Sequence, residues 1–159
     1  MAILVLGLGN LLMSDDAFGG RVVEHLQEHY VFPQGVSVLD GGTLGLDLLP
    51  RLEGVARLLL VDAVDMQARP GSVFRLEGEE VPRAFAEKLS VHQMGLKDLL
   101  AVAELQGCLP GEIVFWGVQP GCIEMCLEMT EPVAEVLPRV VEAVLEELRR
   151  WGVAWRKAA

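Results

Sequence analysis

Leu58-Leu59-Leu60-Val61-Asp62-Ala63 is the stretch on which the fold turns. Four successive apolar residues leave a strand no solvent face, so the run belongs in a sheet covered on both sides, the usual setting of parallel strands. Ile3-Leu4-Val5-Leu6 has the same character. Residues 36–39 and 113–118 read as two further strands, and a strand or hairpin arm is expected around residues 72–76. Helical stripes lie between them: Val22, Val23, Leu26 and Tyr30, then Leu96, Leu99, Leu100 and Ala103. The last stripe runs through Val133, Val136, Leu137, Val140, Val141, Val144, Leu145 and Leu148. Glu142, Glu146 and Glu147 fall between its members and are expected on a solvated outer side. Strands and helices alternating in this order predict an α/β fold: a mostly parallel, twisted sheet of about five strands with helices on both faces, in three α/β/α layers.

The 159 residues, 52% of them hydrophobic, suffice for one core and predict a single domain over residues 1–159. Pro70-Gly71 and Pro120-Gly121 read as turns inside it. A formal net charge of −10 disfavours nucleic acid and anionic membrane surfaces as partners. No apolar run approaches the roughly 20 residues of a membrane-spanning helix, and the first strand is entered without the basic region of a signal peptide. A cytoplasmic location is therefore expected. Cys108, Cys122 and Cys126 cannot all pair within the chain, and a lone Cys-x-x-x-Cys is not a structural zinc pattern. They are read as small buried hydrophobes.

In open α/β sheets, functional groups gather where loops leave the carboxyl ends of parallel strands. Four segments qualify: residues 7–19 after the first strand, Asp40-Gly41-Gly42-Thr43 after the second, Asp62-Ala63-Val64-Asp65 after the third, and Ser90-Val91-His92-Gln93 in a loop before a helix. Gly7-x-Gly9 followed by Asp40 invites a dinucleotide reading. Leu12 stands where that fingerprint needs its third glycine, so a tight turn is preferred and no nucleotide is expected. Ser14 reads as a helix N-cap with Asp15 and Asp16 in the first turn, which stabilises a helix without any catalytic role. Asp62 is different, because a buried strand carries its carboxylate and an unpaired buried charge is costly. If Asp16, Asp62 and His92 meet above the same strand ends, they offer two oxygen ligands and one nitrogen with open positions. Zinc, nickel and manganese all suit such a set.

His25-Leu26-Gln27-Glu28-His29 matches the inverted zinc-peptidase pattern His-x-x-Glu-His, with both histidines one helical turn apart. It falls mid-helix beside the core stripe, and no third ligand is identified. Solvated histidines on a helix flank are the simpler reading.

Taken together, the motifs resemble the endopeptidases that mature nickel–iron hydrogenases. The likeness runs from Ile3 to about Trp151 and rests on five motifs in order: Gly7-Leu8-Gly9-Asn10 with Ser14-Asp15-Asp16-Ala17-Phe18-Gly19, Asp40-Gly41-Gly42-Thr43, Leu60-Val61-Asp62-Ala63, Ser90-Val91-His92-Gln93, and Gly117-Val118-Gln119-Pro120. A strand ending in Gly-Leu-Gly-Asn also opens peptidyl-tRNA hydrolases, but the two acids that follow and the net charge of −10 disfavour that enzyme. Asp40-Gly41-Gly42-Thr43 with Leu44-Gly45-Leu46 is similar to the enzymes that serve uptake hydrogenases. The resemblance implies removal of a C-terminal extension from the large-subunit precursor once nickel is in place. It also implies metal contact at Asp16, Asp62 and His92; the family has Glu or Asp at the first of these, and this chain has Asp.

On this reading nickel arrives with the substrate and is not a resident cofactor. Asp40 is a further candidate, as general base or as the hydrogen-bond partner that orients His92. No Ser or Cys lies in a recognisable nucleophile setting. The acids Glu77, Glu79 and Glu80 are candidates to guide a basic region of the precursor. Two other classes are carried forward: a zinc peptidase using His25, Glu28 and His29, and a non-catalytic nickel chaperone that leaves the precursor's mass unchanged.

Overall fold

Two adjacent strands carry long apolar runs because both of their faces are covered. Alternate side chains of β1 (Ala2–Leu8) and β4 (Val55–Ala63) enter two separate cores. Ile3, Val5, Leu59, Val61 and Ala63 pack with α1 (Phe18–His29) and α4 (Glu131–Arg150), whereas Leu4, Leu6, Leu8, Leu58 and Leu60 pack with Leu52 of α2 (Leu49–Leu52) and with Leu99, Leu100 and Ala103 of α3 (Val91–Leu105). The computed structural model describes residues 2–82 and 91–159, with side chains from residue 97 onward in the second span.

Five strands form the main sheet in the order β3-β1-β4-β6-β5, where β3 is Val36–Gly42, β5 is Val73–Glu77 and β6 is Glu112–Val118. All neighbours are parallel except β5, which runs antiparallel to β6 at one edge. The expected three-layer α/β architecture is therefore what the chain adopts, and the arm expected around residues 72–76 is that edge strand. Register puts Gly7 of β1 between Asp40 of β3 and Val61 of β4, so three loops leave the sheet side by side.

Two sequence expectations change. Tyr30 does not extend the first helical stripe: the helix ends at His29, and Tyr30 turns extended to open β2 (Tyr30–Val31), paired antiparallel with β7 (Arg156–Lys157). Its ring meets Trp155 edge-on at 5.3 Å and packs, partly buried, against the core. Glu147 is not on a solvated face. It is buried, and the Arg75 guanidinium of β5 reaches its carboxylate at 2.6 Å, with Arg150 at 3.7 Å. The hydrogen bond with Glu147 raises the Arg75 pKa above its ordinary value, opposed by burial and helped by the charges of Glu147 and Glu77.

Candidate active site

The chain leaves β1 through Gly9, whose φ of +119° is open to glycine and strained for other residues. A Cβ there would overlap the carbonyl oxygen of Asp16 and would lie 3.5 Å from Asp62 Oδ1. Gly7 makes a similar close approach to the Gly19 carbonyl. The segment after Met13 thus folds back over the strand end, and the space beside both glycines is filled by the chain's own backbone.

This crossing brings the Asp16 backbone carbonyl and the Asp62 carboxylate to either side of Gly9. Asp16 sits half-buried in a 3-10 turn, Ser14–Ala17, and its Oδ2 accepts the Asn10 N–H at 3.0 Å. Asp62 stands near the end of β4 with 0% of its surface exposed. Alternation places it on the face of Leu58 and Leu60, the face that α3 covers. His92 is the second residue of α3, inside the helix and not in a loop before it; Ser90 lies outside the described residues, and for His92 only the backbone is described. Asp40 takes the other face. It shares the parity of Val36 and Val38, its Oδ1 accepts the Gly42 N–H at 2.9 Å, and a Cβ on Gly20 of α1 would lie 3.2 Å from its Oδ2.

Adjacent in sequence, Asp15 and Asp16 do different work. Asp15 is fully buried, and its Oδ2 accepts the N–H groups of Gly121 (2.7 Å) and Cys122 (3.0 Å) and the Thr130 hydroxyl (2.7 Å). Its Oδ1 accepts the Thr130 N–H at 2.7 Å. One carboxylate therefore ties the loop after β1 to the loop that follows β6. Ser14 is not an N-cap either. With φ of +52° its hydroxyl donates to the Glu128 carbonyl at 2.9 Å, on the same loop. Gln119, read only as part of a motif, is buried and takes the N–H groups of Met66 (2.7 Å) and Ala68 (3.2 Å) on its Oε1 while donating to Asp65 Oδ1 at 3.1 Å. It holds the segment after β4 against the end of β6. Neither clamp has a local sequence signal, since each joins residues some 50 to 115 positions apart.

Clefts lined by described residues open at this end. One of about 270 Å³ is lined by Gly9, Asn10, Leu11, Asp40, Gly42 and Thr43, and one of about 190 Å³ by Asp65, Gln119, Pro120, Gly121, Cys122 and Ile123. A larger hollow, about 340 Å³, lies at the amino end of β6 among Glu79, Lys97, Leu100 and Ile113, away from Asp62. Glu77, Glu79 and Glu80 also follow the end of antiparallel β5, at that remote edge, and Glu77 pairs with Arg75 at 3.1 Å. Their position is poorly suited to guiding a substrate to the site.

The rings of His25 and His29 lie 4.4 Å apart between centroids, tilted by 43°, near the far end of α1, where the His29 carbonyl accepts the Ala158 N–H. Glu28 approaches His29 at 3.9 Å and no further ligand joins them: among the described residues no group of three or more His, Cys, Asp or Glu is placed to hold a metal. The cysteines are not fully buried, because Cys126 is exposed and Cys108 and Cys122 are partly so. No helix among the described residues is long and apolar enough to cross a membrane.

Comparison with known proteins gives one answer. A family model described as hydrogenase maturation protease, HycI, matches residues 20–147. The hydrogenase 2 maturation protease of Escherichia coli (strain K12) is 40% identical over 154 residues, covering 96% of this chain and 94% of that protein. The hydrogenase expression/formation protein HupD of Thiocapsa roseopersicina is 41% identical over 157 residues, covering 98% and 71%. Among solved structures, the hydrogenase maturating endopeptidase HybD from E. coli superposes with a TM-score of 0.95 at 39% identity, over 99% of this chain and 98% of that one. The [NiFe] hydrogenase maturation protease HybD from Thermococcus kodakarensis does so with 0.76 at 32% identity, over 92% and 98%.

Proposed function

This chain belongs to the hydrogenase maturation protease family, and on that premise we propose that it removes the C-terminal extension of a nickel–iron hydrogenase large-subunit precursor after nickel insertion. Nickel is carried by the substrate, and Asp16, Asp62 and His92 contact it to test whether the precursor is loaded. The supporting observation is that the turn carrying Asp16 crosses Gly9 next to the Asp62 carboxylate, on the strand-end side of a sheet face covered by the helix that carries His92. Two carboxylates and an imidazole suit a borderline divalent cation. Nickel close to the scissile bond would supply Lewis-acid polarisation of its carbonyl.

The chain's own groups do the rest. The Asn10 N–H fixes one oxygen of Asp16 and so orients that carboxylate. The Asp15 and Gln119 clamps hold the three loops that frame the point where the precursor tail must lie. Of the two roles considered for Asp40, its place on the 270 Å³ cleft beside Gly9 supports a base; its position on the face away from α3 does not support orienting His92.

The test uses nickel-loaded and nickel-free precursor with wild type, Asp16→Asn, His92→Ala and His25→Ala, reading the precursor's C-terminus by mass spectrometry. Wild type and His25→Ala should cut only loaded precursor, and the other two should lose roughly 100-fold or more of that rate. Equal cutting of nickel-free precursor would defeat metal sensing. Binding with no change in mass would instead identify a chaperone.

A further inference from the structure

We propose that Leu12, Ile123, Met125 and Leu127 form the surface on which the folded precursor docks, and that it receives an apolar side chain flanked by basic ones. The proposal rests on the reading above and names where the substrate is gripped.

These four side chains are unusual in being apolar, exposed and held. Met125 is 82% exposed, Leu127 66%, Leu12 54% and Ile123 53%. The two segments that carry them are tied together at neighbouring residues: the Cys126 N–H donates to the Leu12 carbonyl, the Ser14 N–H to the Cys126 carbonyl, and the Asp15 N–H to the Cys122 carbonyl, all within 3.0 Å. Arg21 reaches the Leu127 carbonyl at 3.4 Å, and the Asp15 carboxylate closes the base of the loop. Such a segment cannot turn its side chains inward without breaking these bonds, so they are presented to solvent already ordered. An ordered apolar surface loses little further freedom on binding, which is what a docking site requires. Exposed apolar groups scattered singly need no explanation, but a cluster beside a site does.

Two observations select the occupant. Glu124 and Glu128 alternate with the apolar residues and are exposed, in a chain of net charge −10, which complements basic side chains on the partner and repels a second copy of this chain. The surface is also continuous with the site: Gly121, Cys122 and Ile123 line the 190 Å³ cleft together with Asp65 and Gln119, at the strand end where Asp62 pairs with Gly117. The partner docked here is the one whose tail reaches Asp16 and Asp62.

The experiment compares wild type with Met125→Asp, Leu127→Asp, the pair Glu124→Lys/Glu128→Lys, and Leu105→Asp. Leu105 is 87% exposed at the end of α3 and serves as the control. Affinity for nickel-loaded precursor is measured by biolayer interferometry, cleavage by mass spectrometry over a range of precursor concentrations, and folding by circular dichroism. Met125→Asp and Leu127→Asp should raise both Kd and KM by about tenfold or more with kcat within about twofold, as expected of interface anchors remote from the chemistry. The charge reversal should weaken binding several-fold at low salt and lose that effect at high salt, whereas Leu105→Asp should match wild type. Wild-type Kd and KM in both aspartate variants would overturn the docking surface while leaving the protease reading intact. Binding by wild type that depends on Met125 and Leu127 but is never followed by cutting would do the reverse. A wild-type dimer dissolved by Met125→Asp, with precursor affinity unchanged, would assign the surface to a second copy and overturn the proposal.

Discussion

Replacing Asp15 by Asn changes one atom's chemistry and keeps the side chain's shape, so its cost follows from counting donors. Three of them converge on Oδ2 and one on Oδ1. An amide can offer oxygen to only one of these sets. Turned the better way, it keeps the three contacts of Gly121, Cys122 and the Thr130 hydroxyl but points its NH₂ at the Thr130 N–H. One charge-assisted bond becomes two facing donors, and the remaining three lose the benefit of an ionised acceptor. Bonds to charged groups contribute about 1.5–3 kcal/mol, so the loss should be about 2–4 kcal/mol. Urea unfolding would measure this as a lower midpoint at unchanged slope. Hydrogen exchange should report faster exchange at the Asp15 and Cys126 amides, which depend on the same clamp. Thr130→Val removes a single bond and should cost about 1 kcal/mol, and the double variant should fall short of the sum because both act on one network. A loss below about 1 kcal/mol for Asp15→Asn would refute the clamp as the element that fixes this loop.

Other outcomes follow from the same structure. The Arg75–Glu147 pair should be asymmetric: Arg75→Ala leaves a buried carboxylate with only the longer Arg150 contact and should cost about 2–4 kcal/mol, while Glu147→Gln leaves an arginine that still meets Glu77 and should cost about 1–2 kcal/mol, both read from denaturant midpoints. Because the folded Arg75 pKa is raised, its stabilisation is present below the ordinary guanidinium range and lost only as pH climbs through the folded value. Wild type minus Arg75→Ala should therefore be flat across about pH 6–10 once other groups are matched, and a slope there would contradict the pairing. Gly7→Ala drives a Cβ into the Gly19 backbone and should prevent stable folding, a loss above about 3 kcal/mol, whereas Gly54→Ala meets open space and should cost only about 1 kcal/mol of backbone strain by thermal melting. His29→Ala should leave precursor cleavage at the wild-type rate; a large loss would revive a role for the histidine pair.

Much of the scaffold was legible because it depends on local patterning. A run such as Leu58–Val61 specifies a doubly covered strand wherever it occurs, and the order of such runs left few topologies open. Asp62 stood out for the same reason, as a charge on an apolar strand. The terminal helix was placed correctly yet one of its acids was not: Glu147 differs from Glu146 only in facing Arg75, a residue 72 positions earlier. Tyr30 continued a helical stripe on paper, but its partner Trp155 lies at the other end of the chain.

The sequence by itself determined the α/β layers, the five strands of the main sheet and the positions at which carboxylates meet the strand ends, since hydrophobic periodicity carries that information residue by residue. Only the tertiary structure separated Asp15 from Asp16, put Asp62 and Asp40 on opposite faces of the sheet, and turned the segment after β6 into an exposed, hydrogen-bonded apolar surface beside the site. Those assignments depend on donors and partners up to 115 positions away, and a carboxylate's role is set by what surrounds it in space.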